Sequence, residues 1–351
     1  MTDLEQFDDV PVAWLVGISG TLLGVLTICA AVALRGRVTA ACQVLQLVAA
    51  PAAAVTCGRL YWLYRRRVAG ALAVSDAVQR VLLRPLPSRV GGLDLASVYR
   101  ACGGQARVGG DLYAVVRADA ATRIIIGDVR GRGLPSFLDV IAILGAFREW
   151  APQPVSLVEL STRLEESFLR YLADADGDTR CDADERFATA LILEVPDGEP
   201  DARMVNFGHP PPVRARPGEL ALLPGAPCPP LGLSPLCDLR AHESAFELGP
   251  HDTLLLYTDG LIEARDCSGV SFPLLERATT WTWQDRRRFC HDRLHNVLAE
   301  ILEDIVAHCG ALPADDLALI ALARHGEGGG AVLPRPADPD PSEGTRPMRW
   351  H

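Results

Sequence analysis

Two long uncharged stretches lie near the start of the chain. They run from Pro11 to Leu34 and from Val38 to Gly58, and a short turn containing two arginines separates them. At about 1.5 Å of rise per helical residue, each stretch is roughly 30 Å or longer, which matches the hydrocarbon core of a bilayer. The pattern predicts a membrane-spanning helical hairpin over residues 11–58, after a short N-terminal segment, residues 1–10.

The second stretch leaves an alternative open. It contains Gln43, Gln46 and Pro51, so a soluble or interfacial helix is the other interpretation. More arginines follow this stretch than lie in the hairpin turn, and the excess of positive charge predicts that the rest of the chain is cytoplasmic. The acidic front of the chain does not fit a cleaved signal peptide. The predicted location is therefore the cell membrane, multi-pass, with a cytoplasmic main domain.

Beyond the hairpin, the pattern changes from uniformly apolar to periodic. Helical spacing of apolar positions from Val68 to Leu83, ended by a Pro-Leu-Pro breaker, predicts a linker helix within residues 59–89. Strand and helix patterns then fill residues 90–325, which we expect to form one domain. Residues 326–351 are rich in Gly and Pro and are expected to be a disordered tail.

Within residues 90–325, short apolar runs typical of strands outnumber helical patterns. The predicted strands are Leu93–Tyr99, Leu112–Arg117, Arg123–Val129, Phe187–Val195, Arg203–Phe207, Thr253–Thr258 and Leu317–Ala323. The predicted helices are Leu134–Trp150, Leu157–Leu172 and Arg286–Cys309. Because strands and helices do not alternate strictly, the pattern favours an α+β fold.

Composition excludes several kinds of chemistry. All 34 basic residues are Arg, so no mechanism that needs a lysine is available to the chain. The net charge of -10 argues against a nucleic-acid partner. Ten cysteines are scattered without a CxxC pair, so neither a zinc site nor a disulfide framework is indicated.

Four motifs carry aspartates at strand ends or tight turns. They are GGDLY at Asp111, GDVRGRG at Asp128, YTDGLIEARD at Asp259, and DDLALIAL at Asp315 and Asp316. For any single motif, ordinary turn chemistry is the alternative, because Asp-Gly and Gly-Asp pairs are common in turns. Carboxylates that converge repel one another unless a cation binds, and oxygen ligands suit Mg²⁺ or Mn²⁺.

Together with their surroundings, these motifs resemble the PPM metal-dependent serine/threonine protein phosphatases, in the bacterial branch named for sporulation stage II protein E. The resemblance runs in order through RVGGDLY, GDVRGRGLPS, ERFATALIL, NFGHPPP, PPLGL, LLLYTDGLIEARD and DDLALI, over roughly residues 75–325. It implies an αββα sandwich, two antiparallel sheets flanked by helices. It also implies a site for two divalent cations, Mn²⁺ or Mg²⁺, at one end of the sandwich.

The resemblance assigns roles to five positions. It implies that Asp128 is catalytic and bridges both ions, with the backbone carbonyl of Val129 on the second ion. Asp111 is implied to be catalytic as well and to bind the second ion, partly through water. Asp259 and Asp315 are implied to hold the first ion. The neighbouring Asp316 occupies a position that is usually not a ligand.

Arg130 departs from the family pattern. Eukaryotic relatives have a histidine there, and a guanidinium does not donate a proton at neutral pH, so the group that protonates the leaving oxygen is unassigned. Arg130 and Arg132 are candidate phosphate ligands because the guanidinium fork matches phosphate geometry. Plain surface arginines are the alternative.

The implied activity is hydrolysis of phosphoserine or phosphothreonine by a metal-activated hydroxide. The implied substrate is a STAS-domain anti-sigma-factor antagonist or a similar signalling protein. The expected partners are this phosphoprotein, the membrane and a second copy of the chain. The alternative is an inactive family member that serves as a scaffold for a phosphoprotein or an anti-sigma kinase.

Overall fold

The computed structural model describes residues 55–66, 82–100, 109–131, 133–175, 186–234, 241–283, 290–310 and 315–325. These residues belong to two compact units. The first contributes residues 55–66 and Leu82, and the second contributes all the others.

In the first unit, residues 55–66 are helical. Three of these twelve residues are arginines. Two of these arginines lie over aromatic rings of the same helix, Arg65 over Tyr61 and Arg66 over Trp62.

No helix in the described parts of the chain is both long and apolar enough to cross a membrane. The prediction of a multi-pass membrane protein is therefore wrong for this part of the chain. The cytoplasmic placement depended on the same hairpin and is withdrawn with it. Most of the two uncharged stretches, residues 11–54, lies outside the described residues.

The strands of the second unit form two antiparallel sheets. In spatial order, the first sheet contains β1 (Arg89–Val90), β2 (Leu93–Arg100), β11 (Leu317–Arg324), β10 (Thr253–Tyr257), β7 (Val213–Arg216) and β8 (Glu219–Leu222). The second contains β3 (Asp111–Arg117), β4 (Ala121–Val129), β5 (Ala188–Pro196), β6 (Asp201–Phe207) and β9 (Ser244–Glu247).

Helices cover the outer faces of the sheets. Helices α1 (Leu134–Trp150) and α2 (Leu157–Ala175) pack against each other and against the second sheet. Helix α3 (Leu274–Ala278) contacts β8, and α4 (Cys290–Cys309) packs on β2 and β11 of the first sheet. The predicted architecture of two antiparallel sheets flanked by helices is confirmed.

The two central strands of the first sheet, β10 and β11, are buried on both faces. On one face, Leu255 and Tyr257 join a core with Leu298 and Ile301 of α4. Because side chains alternate along a strand, Leu254 and its alternate neighbours point to the opposite face. Burial on both sides explains why these strands are nearly continuous apolar runs.

Several predictions concern residues outside the described parts. Of the predicted linker helix, residues 67–81 are not described, and the same holds for residues 176–185, 286–289 and 326–351. The predicted division of the chain into domains therefore stays a prediction.

Candidate metal centre

Two predicted site aspartates face each other across the β3–β4 hairpin. Asp111 begins β3 and lies directly opposite Asp128 near the end of β4. Side chains of directly opposed residues in antiparallel strands point to the same face, about 5 Å apart. The Val129 amide donates to the Gly110 carbonyl at 3.1 Å and closes this end of the hairpin.

The other sheet delivers its aspartates to the same place. Asp259 follows β10, and the Asp315–Asp316 pair precedes β11, whose Leu319 pairs with Tyr257 of β10. One side-chain oxygen of Asp316 accepts a hydrogen bond from the Gly110 amide at 3.2 Å. This bond joins the end of one sheet to the hairpin of the other.

Charge repulsion shows that the carboxylates of both sheets are close together. Burial, followed by the charges of Asp259, Asp315 and Asp316, raises the pKa of Asp128 to about 8. Burial and the neighbouring carboxylates, Asp128 first, also raise the pKa of Asp111 well above its usual value. The buried carboxylates of the two sheets therefore disfavour one another's ionised forms.

Asp259 has a raised pKa for similar reasons. Burial contributes most, and the charges of Glu263 and Asp315 follow. Thus all five aspartates identified in the sequence meet at one end of the sandwich. Both members of the Asp315–Asp316 pair take part, and Asp316 contacts the hairpin directly.

Three glycines allow the backbone to approach these carboxylates. A Cβ atom on Gly110 would lie 2.6 Å from the Val129 carbonyl oxygen and 2.8 Å from Asp128 Oδ1. A Cβ on Gly109 would collide with the Asp316 carboxylate, and one on Gly260 would collide with the Asp316 backbone. The space beside Gly110 is thus bordered by two oxygens that the resemblance identifies as metal ligands.

The donor set fits hard divalent cations. One Asp111 oxygen, Oδ1, is buried and has no hydrogen-bond partner within the described residues, and the surrounding donors are carboxylate and carbonyl oxygens, as Mg²⁺ and Mn²⁺ prefer. Within the described ranges, no group of three His, Cys, Asp or Glu side chains is arranged to hold an ion. The carboxylates are gathered at one place but not closed into a coordination shell.

Thr258 contributes to the site and was not singled out in the sequence. Its hydroxyl donates to Asp111 Oδ2 at 2.8 Å and accepts from the Ala318 amide at 2.9 Å. It thereby orients a carboxylate of one sheet from the other sheet. The signal was present in the YTDG motif, where Thr258 immediately precedes Asp259.

The candidate phosphate ligands have different positions. Arg130 is exposed, and its guanidinium lies 5.2 Å from the centre of the Phe187 ring. Its backbone amide donates to the Phe187 carbonyl at 2.9 Å. Arg132 lies outside the described residues. Arg130 is thus held at the mouth of β4, two residues after Asp128.

Solved structures with a similar fold are PP2C phosphatase domains. The family model for stage II sporulation protein E (SpoIIE) matches residues 118–325. The match covers more than half of the chain, and the chain belongs to this family. Membership of this family supports the predicted enzyme class, a protein serine/threonine phosphatase.

Solved structures share the fold at low sequence identity. The SiaA-PP2C domain of Pseudomonas aeruginosa is 17% identical, with a TM-score of 0.58, covering 74% of this chain and 98% of that domain. The PP2C domain of SpoIIE from Bacillus subtilis, with a fragment of its regulatory domain, is 14% identical with a TM-score of 0.51 and coverages of 66% and 62%.

A third structure contains the RsbU and RsbW domains of Rv1364c from Mycobacterium tuberculosis. It is 22% identical, with a TM-score of 0.50, and the match covers 68% of this chain and 61% of that one. The chain thus spans less than two thirds of the length of this structure and of the Bacillus one. No curated protein matches the chain.

Proposed function

We propose that the chain is a metal-dependent phosphatase that acts on phosphoserine or phosphothreonine in a partner protein. The observation that carries the proposal is the convergence of carboxylates from both sheets, with Asp111 and Asp128 on one side and Asp259 on the other. Such a concentration of buried negative charge is costly without cations. Membership of the SpoIIE family gives the reaction class.

The proposed ligands are those that the family resemblance implies. Asp128 lies among all the others and would contact both ions, while Asp111 and the Val129 carbonyl would complete the second ion. Asp259 and Asp315 would hold the first. When bound, two Mn²⁺ or Mg²⁺ ions supply an acidified water and offset negative charge on the phosphoryl group.

The chain's own residues would prepare this chemistry. Thr258 fixes the orientation of Asp111 by its hydrogen bond, so the catalytic carboxylate does not need to reorder. Arg130 and Arg132 flank Gly131, whose φ of 104° turns the chain sharply after β4. A guanidinium at this turn would grip phosphate oxygens in the fork geometry that arginine favours.

The proposed substrate is a phosphorylated STAS-domain anti-sigma-factor antagonist or a similar signalling protein. Support comes from the shared fold with a structure that joins an RsbU domain to an RsbW domain. An acidic protein of net charge -10 with no lysine also fits a protein substrate better than a nucleic acid.

The test is phosphate release by the full chain from a phosphoserine protein, with and without Mn²⁺. We expect release only with the metal, and we expect Asp128→Asn to abolish it. Asp119→Asn is the matched control, because Asp119 is exposed on the turn at the opposite end of β4. Metal-independent release, or an active Asp128→Asn variant, would contradict the proposal.

The alternative is an inactive scaffold. It is favoured by the finding that, among the described residues, no group of three His, Cys, Asp or Glu side chains is arranged to hold an ion. A scaffold would bind the phosphoprotein tightly and release no phosphate with any divalent ion. The same assay, combined with a binding measurement, separates the two functions.

A further inference from the structure

His209 is a buried histidine in a tight turn after β6, with 4% of its surface exposed. Its backbone amide donates to Asn206 Oδ1 at 2.7 Å, and the Asn206 side-chain amide donates back to the His209 carbonyl at 2.9 Å. Gly208 between them has a φ of 68°, which a side chain would strain. The turn therefore holds the His209 backbone in place.

One nitrogen of this imidazole contacts the row of residues that forms the site. His209 Nδ1 lies 3.0 Å from Thr189 Oγ1. Thr189 lies directly opposite Asp128 in the β4–β5 register, and Asp111 lies opposite Asp128 on the other side. Opposed residues share a face of the sheet, so Asp111, Asp128 and Thr189 form one row, and His209 is bonded to its end.

The imidazole also lies beside the other sheet. Burial lowers the pKa of His209 to about 3, against a smaller opposite effect of the Tyr257 backbone, so the ring is neutral at physiological pH. Tyr257 ends β10, two residues before Asp259. His209 Nε2 is buried and has no hydrogen-bond partner in the part of the chain that the structure describes.

We propose that His209 is a positioning residue for the candidate metal centre. It holds the Thr189 hydroxyl beside Asp128 and lies against the strand that leads to Asp259, so it sets the separation of these two carboxylates. The inference rests on the proposed function only in taking both carboxylates as metal ligands. Residues that orient metal ligands typically change metal affinity or activity 10–100-fold when they are mutated.

The experiment is calorimetric titration of Mn²⁺ into the full chain. We expect Thr189→Val and His209→Ala each to weaken Mn²⁺ binding by about tenfold or more, as for other residues that orient ligands. His209→Asn keeps a polar nitrogen near the Nδ1 position. Its Mn²⁺ affinity should stay within about threefold of the wild-type value, a smaller change than the loss of an orienting residue causes. The double variant Thr189→Val/His209→Ala should bind Mn²⁺ no more weakly than the weaker of the two single variants, because the two residues act through one hydrogen bond.

Thr122→Val is the matched control. Thr122 is a buried threonine of the neighbouring strand β4, and its hydroxyl lies 3.3 Å from the Val90 carbonyl. It is six residues from Asp128, about 20 Å along the strand, so its variant should bind Mn²⁺ like the wild type. Should His209→Ala fail to fold, Thr189→Val carries the test, since it removes one oxygen and keeps the shape. Wild-type Mn²⁺ affinity in Thr189→Val, or equal weakening in Thr122→Val, would overturn the inference.

Turnover of a phosphoserine protein separates this inference from the proposed function. If the wild type binds Mn²⁺ but releases no phosphate, and Thr189→Val weakens binding, the proposed function fails and the positioning role stands. If the wild type is active and Thr189→Val retains both its affinity and its kcat, the positioning role fails alone. If the wild type is an active phosphatase, the positioning role predicts that Thr189→Val has a lower kcat at subsaturating Mn²⁺ and an unchanged KM for the phosphoprotein.

Discussion

Asp111 illustrates how much of the site depends on the surroundings of single residues. Its carboxylate is 1% exposed, and only one of its oxygens has a hydrogen-bond partner among the described residues, the Thr258 hydroxyl. A buried carboxylate with an unpaired oxygen is costly. A cation beside Oδ1 would offset that cost, which links the burial of this residue directly to the proposed function.

Replacing Gly110 by alanine tests the space that this arrangement requires. The new Cβ would lie 2.6 Å from the Val129 carbonyl and 2.8 Å from Asp128 Oδ1, so both oxygens must move. We expect Gly110→Ala to weaken Mn²⁺ binding by about tenfold or more, as displaced ligands do. The measurement is calorimetric titration with Mn²⁺.

Gly145→Ala is the control for this substitution. A Cβ at Gly145 meets no atom within 4 Å, and the residue lies inside helix α1. Because alanine favours helices over glycine, we expect Gly145→Ala to stabilise the protein by up to about 1 kcal/mol and to leave Mn²⁺ binding unchanged. Equal Mn²⁺ affinity in both alanine variants would contradict the steric argument.

Among the elements, β4 serves the fold and the site at once. Asp128 lies near its end, and Arg123 lies buried near its start, 5% exposed. The Arg123 guanidinium donates to Glu194 on β5 at 2.7 Å and to the carbonyls of Ala151 and Gln153 at 3.0 Å. One side chain therefore ties two strands of the second sheet to the connection between α1 and α2.

Removing this arginine should destabilise the fold without touching the site. Arg123→Met leaves Glu194 buried with Arg203, at 3.4 Å, as its only side-chain partner among the described residues. Breaking a buried ion pair from one side costs about 3–5 kcal/mol, and we expect the free energy of unfolding, measured in urea, to fall by about 3 kcal/mol. Arg163→Met, which breaks an exposed pair with Glu159, should cost less than about 1 kcal/mol. Equal costs would count against the argument.

Asp252, in the turn before β10, should make the stability of the protein depend on pH. Burial alone would raise the pKa of Asp252, but hydrogen bonds from Arg216 and the Gly249 amide lower it below its ordinary value of 3.8. The carboxylate therefore stabilises the fold above pH 3.8, and this contribution is lost as pH falls through the lower folded-state pKa. Asp252→Asn should be less stable at pH 7 and should lose less stability between pH 5 and pH 3. An equal fall in Tm between pH 5 and pH 3 for Asp252→Asn and the wild type would contradict this.

Long apolar elements were predictable from the sequence, and short ones were not. Helix α1 has the predicted bounds, and β4 and β11 differ from prediction by no more than two residues at either end. The missed strands are β1, of two residues, and β7, β8 and β9, of four residues each, and all of them are only partly buried. These strands are held in place by hydrogen bonds to neighbouring strands. The hydrophobic pattern of so few residues does not indicate which strands will pair.

On the scale of the whole molecule, the acidic motifs indicated where the site would lie but not what supports it. Strand ends identified Asp128 and Asp259, because each follows a buried run. The contacts of Thr258 with Asp111, and of His209 with Thr189, join segments far apart in sequence. Such contacts depend on how the two sheets face each other, which hydrophobic periodicity does not specify.

Metal binding should stabilise the whole molecule. The carboxylates converge only in the folded state, so an ion binds the native protein in preference to the unfolded chain. At a free Mn²⁺ concentration 100 times Kd, the expected stabilisation is about 2.7 kcal/mol per site. Differential scanning calorimetry should show a rise in Tm that EDTA reverses, that Asp128→Asn lacks and that Asp119→Asn retains. An unchanged Tm would contradict the folded-state site.

The hydrogen bond from the Gly110 amide to Asp316 has a practical use beyond the chemistry of the cluster. Its amide hydrogen belongs to Gly110, just before β3 of the second sheet, and bonds to Asp316, just before β11 of the first sheet. Its exchange with deuterium and its NMR chemical shift respond to any change in the spacing of the sheets at that point. One backbone resonance therefore reports the spacing of the two sheets at the candidate metal centre, before and after Mn²⁺ is added.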